Sequence, residues 1–150
     1  MTPAHPGRML FVTLPVADVA RSRAFFAQLG FTFDPAFTDE TTACMLVGEG
    51  ACVMLGNREK VAELSPRPIG DPATQALALY CFSAASRDEV DAVGAAALAA
   101  GGTEAHDAED LGFMYSRAFF DLDGHGWQVM WMDPAAAEQD PEAVPAESRG

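Results

Sequence analysis

Gly48-Glu49-Gly50-Ala51-Cys52-Val53-Met54 aligns over Gly124-His125-Gly126-Trp127-Gln128-Val129-Met130 without a gap. A glycine turn that opens an apolar strand, written twice, makes the chain two copies of one supersecondary unit. The second copy is the sharper one. In Phe119 to Met132, FFDLDGHGWQVMWM, Asp123-Gly124 sits between two apolar runs and reads as a tight hairpin turn, because glycine accepts positive φ without steric cost. After the turn, Trp127, Val129 and Trp131 alternate with Gln128, Met130 and Met132, so Gln128 is a polar group among methionines. Cys52 is its counterpart in the first unit.

Each unit reads as a strand, a helix and three strands. Residues 9–16 form the first strand, with Pro15 near its end because proline cannot donate a ladder hydrogen bond. Asp18 is placed as an N-cap for a helix over Val19 to Leu29 that carries Val19, Phe25, Phe26 and Leu29 and is closed by Gly30. Strands over 31–33, 42–47 and 51–55 complete the unit. In the second unit a strand over 76–83 leads into Ser86-Arg87-Asp88-Glu89, a capping box at the head of a helix over Ser86 to Ala100. Val90, Val93, Ala97 and Leu98 form its inner face, Gly101-Gly102 ends it, and strands over 103–106, 113–120 and 127–132 follow. The units span 9–56 and 75–133 within one domain. The connector, 57–74, is punctuated by proline and glycine and holds a helical turn near Val61 to Leu64. Residues 1–8 form a short leader. From Pro134 the chain is alanine, proline and acid, composition that predicts a disordered tail.

With 49% hydrophobic residues in 150, the chain can bury a sizeable core. It has no apolar run of membrane-spanning length and no apolar signal segment, so a cytoplasmic protein is expected. The formal net charge is −13, with no basic cluster, which argues against nucleic acid as a partner. Cys44, Cys52 and Cys81 lie in apolar runs without a C-x-x-C pair and read as packed, reduced thiols.

The strand, D-x-D-G turn and strand at Phe119 to Met132, together with LFVTLPVADVARSRAFFAQLGF near the start, resemble the vicinal oxygen chelate superfamily. That superfamily includes glyoxalase I, extradiol dioxygenases, and fosfomycin and bleomycin resistance proteins. The nearest likeness is to bacterial proteins labelled predicted lactoylglutathione lyases, whose pattern has glutamate where this chain has Gln128. The likeness runs from Met9 to Asp133. It implies an α+β fold in which two βαβββ modules form a curved mixed sheet around a cleft.

In metal-dependent relatives, the ligands come from the first and last strand of each module. The resemblance places those positions here at Phe11, Cys52, Leu79 and Gln128. An aromatic, a thiol, an aliphatic and a neutral amide are a poor set for a divalent ion that must polarise a substrate oxygen. No metal and no cofactor are therefore expected. Elsewhere the commoner structural roles prevail: Cys52 and Cys81 as core residues, His125 as an exposed turn residue, and His106 with Asp107, Glu109 and Asp110 as a solvated loop.

The reading that results is a metal-independent protein that binds or sequesters a small molecule. Its expected ligand-binding residues are Phe11, Thr13, Cys52, Met54, Leu79, Cys81, Met114, Tyr115, Gln128 and Met130, a mostly apolar lining with a few polar anchors. The alternatives are a metal-dependent glyoxalase-type lyase or isomerase, or a dioxygenase, with atypical ligands, and an interaction module whose cleft is merely core. A homodimer is expected, with neither nucleic acid nor membrane as a partner.

Overall fold

The computed structural model describes residues 5–137. Two four-stranded mixed sheets, each built from one βαβββ module, share one hydrophobic core. The first module comprises β1 (Leu10–Val16), α1 (Val19–Gln28), β2 (Thr32–Phe33), β3 (Thr42–Gly48) and β4 (Ala51–Asn57), in sheet order β1-β4-β3-β2. A helix, α2 (Arg58–Leu64), follows it. The second module comprises β5 (Leu79–Ser83), α3 (Arg87–Ala99), β6 (Thr103–Asp110), β7 (Met114–Phe120) and β8 (Gly126–Met132), in order β5-β8-β7-β6, and a short α4 (Pro134–Ala137) closes the described chain. In both sheets the first strand runs parallel to the last and the remaining pairs are antiparallel.

The helices begin where local chemistry starts them. Asp18 accepts from the Arg21 amide and Ser86 from the Glu89 amide. Gly30 and Gly101 follow the two helices with φ of 102° and 108°, which removes the Cβ clash that a left-handed turn imposes on other residues. The connector is more ordered than its composition suggests, because Asn57 caps α2 and Val61 packs beneath it.

Packing between the modules decides which surfaces remain outside. Leu14, Val16, Ala43, Met45, Val53 and Leu55 line the face of the first sheet that carries α1. The other side of α1 meets the second sheet. Phe26 contacts Trp127 at 5.1 Å between ring centroids, Phe25 contacts Phe119 at 6.2 Å, and Phe31, just past the helix, contacts Phe82 at 5.0 Å. With α1 held between the helix-bearing faces of both sheets, the other face of each sheet points away from the core.

Several expectations are corrected. The turn after β7 is a loop of residues 121–125 rather than a two-residue hairpin. Asp121 organises it: one carboxylate oxygen accepts from the amides of Asp123, Gly124 and His125, and the other from the Trp127 indole at 3.0 Å. His125 is 2% exposed, not a surface turn residue, because its Nε2 donates to the Pro15 carbonyl at 2.7 Å. Asp123 accepts from the Ala17 amide and the Ser22 hydroxyl, so the loop of one module holds the start of α1 in the other. The acidic run after His106 is strand, since β6 continues to Asp110 past two register shifts. The strand expected from residue 76 begins only at Leu79. Residues 134–137, expected in the tail, form α4, and the remainder of that expected tail lies outside the described residues.

Candidate functional site

The ten expected ligand-binding residues fall into three places. Phe11, Thr13, Cys52 and Met54 share the outward face of the first sheet, where Phe11 is the register partner of Cys52 and Thr13 of Met54. Leu79, Cys81, Gln128, Met130 and Met114 share the outward face of the second. Tyr115 does neither. Alternation puts it on the helix-bearing face, where its hydroxyl donates to Asp91 of α3 at 2.7 Å. The Arg87 guanidinium lies over both Tyr115 and Trp131 there and makes a bidentate pair with Asp110. Arg87 holds the Asp110 carboxyl well below its ordinary value, at about 2. This is a strut between β7, α3 and β6, and it occupies Tyr115 structurally.

The register also moves one equivalence. Cys81 pairs with Gln128 as Phe11 pairs with Cys52, so the first-strand position of the second module is Cys81 and not Leu79. The expected donor set thus becomes Phe11 with Cys52 on one sheet and Cys81 with Gln128 on the other. Two thiols and an amide, parted between two sheets, do not make a site for a hard divalent ion, which prefers carboxylate and imidazole ligands. Among the described residues no group of three or more His, Cys, Asp or Glu side chains is placed to hold a metal ion. Burial pushes the Cys81 thiol up even though the residue is exposed, and burial with the adjacent Cys52 thiol pushes Cys44 up. Raised thiols are poor nucleophiles.

One rung of the second sheet gathers polar groups. His106 of β6 pairs with Ala118 of β7, Ala118 with Gln128 of β8, and Gln128 with Cys81 of β5. Cys81, His106, Ala118, Gln128, Phe120 and Leu79 border a hollow of about 230 Å³, with Gly126 also on its lining. Ala118 and Gly126 explain it, since small residues at the middle of two neighbouring rungs leave space between longer side chains. Past Leu79, Phe120 and Gly126 it adjoins a depression of about 560 Å³ that runs under residues 72–78 of the connector. A groove of about 650 Å³ beside α1 is larger, but it is an open trough flanked by alanines and by Thr38, Asp39 and Glu40.

The chemistry of the hollow follows from its hydrogen bonds. The Gln128 side-chain NH₂ donates to the buried Ser116 hydroxyl at 3.1 Å, which leaves the amide oxygen without a partner among the described residues. His106 Nδ1 lies 2.9 Å from the Asp107 carbonyl. A carbonyl can only accept, so Nδ1 carries a proton and donates to it, and of the two neutral tautomers this bond selects the one with Nε2 as an acceptor. Sequence reasoning did not single out His106, Ala118, Phe120 and Gly126 as lining residues of this hollow. The two shifts flanking His106 erase its alternation signal, and an alanine or glycine marks a hollow only when its neighbours across the sheet are known.

The fold is that of the glyoxalase/bleomycin resistance/dioxygenase proteins, in keeping with the vicinal oxygen chelate resemblance of the sequence. A family model described as bleomycin resistance protein-like N-terminal matches residues 8–48. Among solved structures, a hypothetical protein from S. aureus is 22% identical, with TM-score 0.70 over 85% of this chain and 95% of that one. A glyoxalase/bleomycin resistance protein/dioxygenase family enzyme from Burkholderia phytofirmans PsJN is 17% identical, with TM-score 0.67 over 81% and 96%. A lactoylglutathione lyase from Agrobacterium tumefaciens is 18% identical, with TM-score 0.62 over 91% and 100%. No curated protein matches the chain. No helix among the described residues is long and apolar enough to cross a membrane.

Proposed function

We propose that the protein is a metal-independent small-molecule binder that uses the outward faces of its sheets, with the hollow around Gln128 as the anchor. The observation that carries this reading is the rung His106–Ala118–Gln128–Cys81, which brings polar side chains over a small-residue floor in an otherwise apolar surface. An apolar hollow with a few convergent polar groups is the usual form of a ligand site.

The binder is a homodimer on this reading. A hollow of about 230 Å³ falls below the ~300–1,000 Å³ of ordinary ligand pockets, so a second surface would have to enclose the ligand. The sheet edges support a second copy in that role. Edge β2 is only two residues long, and edge β6 carries Glu104, Asp107, Glu109 and Asp110, both recognised defences against strand addition. Edges β1 and β5 have neither device. On the outward faces beside them, Phe11 and Leu79 are exposed at 57% and 85%. A partner offering its first sheet to the second sheet of this chain would cover those residues and bring Phe11 and Cys52 opposite Cys81 and Gln128.

Native mass spectrometry of the purified protein with metal analysis tests the reading, since it reports bound ligand, metal and stoichiometry together. The expected result is a dimer without stoichiometric transition metal. Gln128→Leu should weaken retention of any co-purifying ligand by tenfold or so, the effect of about one lost hydrogen bond, in a domain that stays folded although the Ser116 hydroxyl loses its partner. Supplying nickel or zinc with the hemithioacetal of glutathione and methylglyoxal should give no lyase turnover. One tightly held ion per chain would overturn the proposal.

A further inference from the structure

Resting on that reading, we propose that the hollow on the second sheet takes a flat ligand that donates hydrogen bonds and bears no acid group, such as an amidine or an aminoheteroaromatic ring.

Its shape selects for flatness. A methyl carbon built on Gly126 would lie 3.5 Å from Leu79 Cδ2 and 3.8 Å from Phe120 Cε1, ordinary contact on both sides. The gap between those two atoms can therefore be no wider than the two contacts laid end to end, room for at most one aromatic ring, and Phe120 offers ring surface as a wall. Its polar groups select for donors. The Gln128 amide oxygen, which has no partner among the described residues, is an acceptor, and so is the Nε2 of His106 in the neutral ring whose proton is on Nδ1. The Cys81 thiol is at most a weak donor. The lining contains no lysine or arginine, and Glu104, Asp107 and Glu109 stand exposed on the strand that carries His106. A carboxylate or phosphate entering this slot would meet two acceptors, no cation and a flanking row of acids, and would lose its hydration without replacement. An N–H donor replaces its water partners with Gln128 and His106.

Benzamidine and benzoate, which share a ring and differ in the sign and hydrogen-bonding sense of their head groups, form the test. In amide-resolved NMR titrations of the full chain, benzamidine should saturably shift the signals of Ala118, Gly126 and Gln128. Benzoate should bind there at least about tenfold more weakly, the discrimination worth one charge-assisted hydrogen bond. The benzamidine shifts should persist at high salt, which screens long-range attraction to exposed acids but not contact inside the slot. Gly126→Ala fills the slot with a methyl its neighbours accommodate, and Gln128→Leu removes an acceptor. Each should abolish saturation at these amides while the remaining spectrum stays folded.

If benzoate binds the same amides as well as benzamidine does, the ligand class is wrong and the binding site stands. If benzamidine moves only β6 signals and salt removes the effect, the ligand class is likewise overturned, as adventitious attraction to the acidic edge. Silence at these amides with both probes sinks the inference and, with it, the assignment of the hollow as the binding anchor.

Discussion

Asp121 shows how a single buried side chain can set a loop. Burial pushes its carboxyl up, while the charge of His125, the Trp127 indole and the backbone amides of the loop pull the other way. It is 6% exposed and accepts four hydrogen bonds, so its shape and its acceptor capacity both matter. Asp121→Asn keeps the shape but turns one oxygen into an NH₂ group, which would face the indole N–H donor to donor. A buried donor left unpaired costs about 1–3 kcal/mol, and the substitution is expected to destabilise by that amount in urea denaturation. In a Trp127→Phe background, where the indole N–H is gone, the cost should shrink markedly; equal costs in the two backgrounds would show that the indole contact is not the reason.

At the scale of elements, the loop between β7 and β8 is a fastener between modules. Its residues reach over a hundred positions back in sequence: His125 to Pro15, Asp123 to Ala17 and Ser22. Asp18 caps α1 from its own module, and Asp123 supports the residue just before that cap from the other. Asp123→Ala should therefore raise hydrogen exchange at Ala17 and in the first turn of α1, with protection in β7 and β8 largely kept. Uniform loosening of both modules, or no change at Ala17, would refute the fastener role.

For the whole molecule, the distribution of exposed apolar side chains is the feature that calls for a partner. Exposed apolar residues scattered singly are ordinary. Here Phe11 lies beside one edge, whose only recognised defence is Pro15, and Leu79 begins the other. Leu79→Asp puts a charge at the centre of the proposed contact without touching the shared core, and is expected to shift the dimer to monomer in light scattering at micromolar concentration. A wild-type protein that is already monomeric there would remove the dimer from the proposal.

Local physics made much of the architecture legible before any coordinates. The repeated glycine-strand segment, Asp18 and Ser86 at helix starts, and Gly30 and Gly101 beyond helix ends act within a few residues of themselves, so the βαβββ order could be read directly. Alternation likewise placed Gln128 and Met130 on one face and Trp127 and Val129 on the other. What needed the tertiary structure was pairing between distant segments. The register of β5 against β8 made Cys81, not Leu79, the neighbour of Gln128, and a slip of two residues in a parallel pair leaves every side chain on its expected face while changing its partner. The bulges of β6 hid His106, the contact with Pro15 buried His125, and the bond to Asp91 drew Tyr115 into a strut. Above all, the packing of Phe25 and Phe26 against the second sheet turned the two surfaces expected to face a ligand outward on separate sheets, because a helix with apolar side chains on more than one side is buried best between two layers and no local pattern states which second layer it will find.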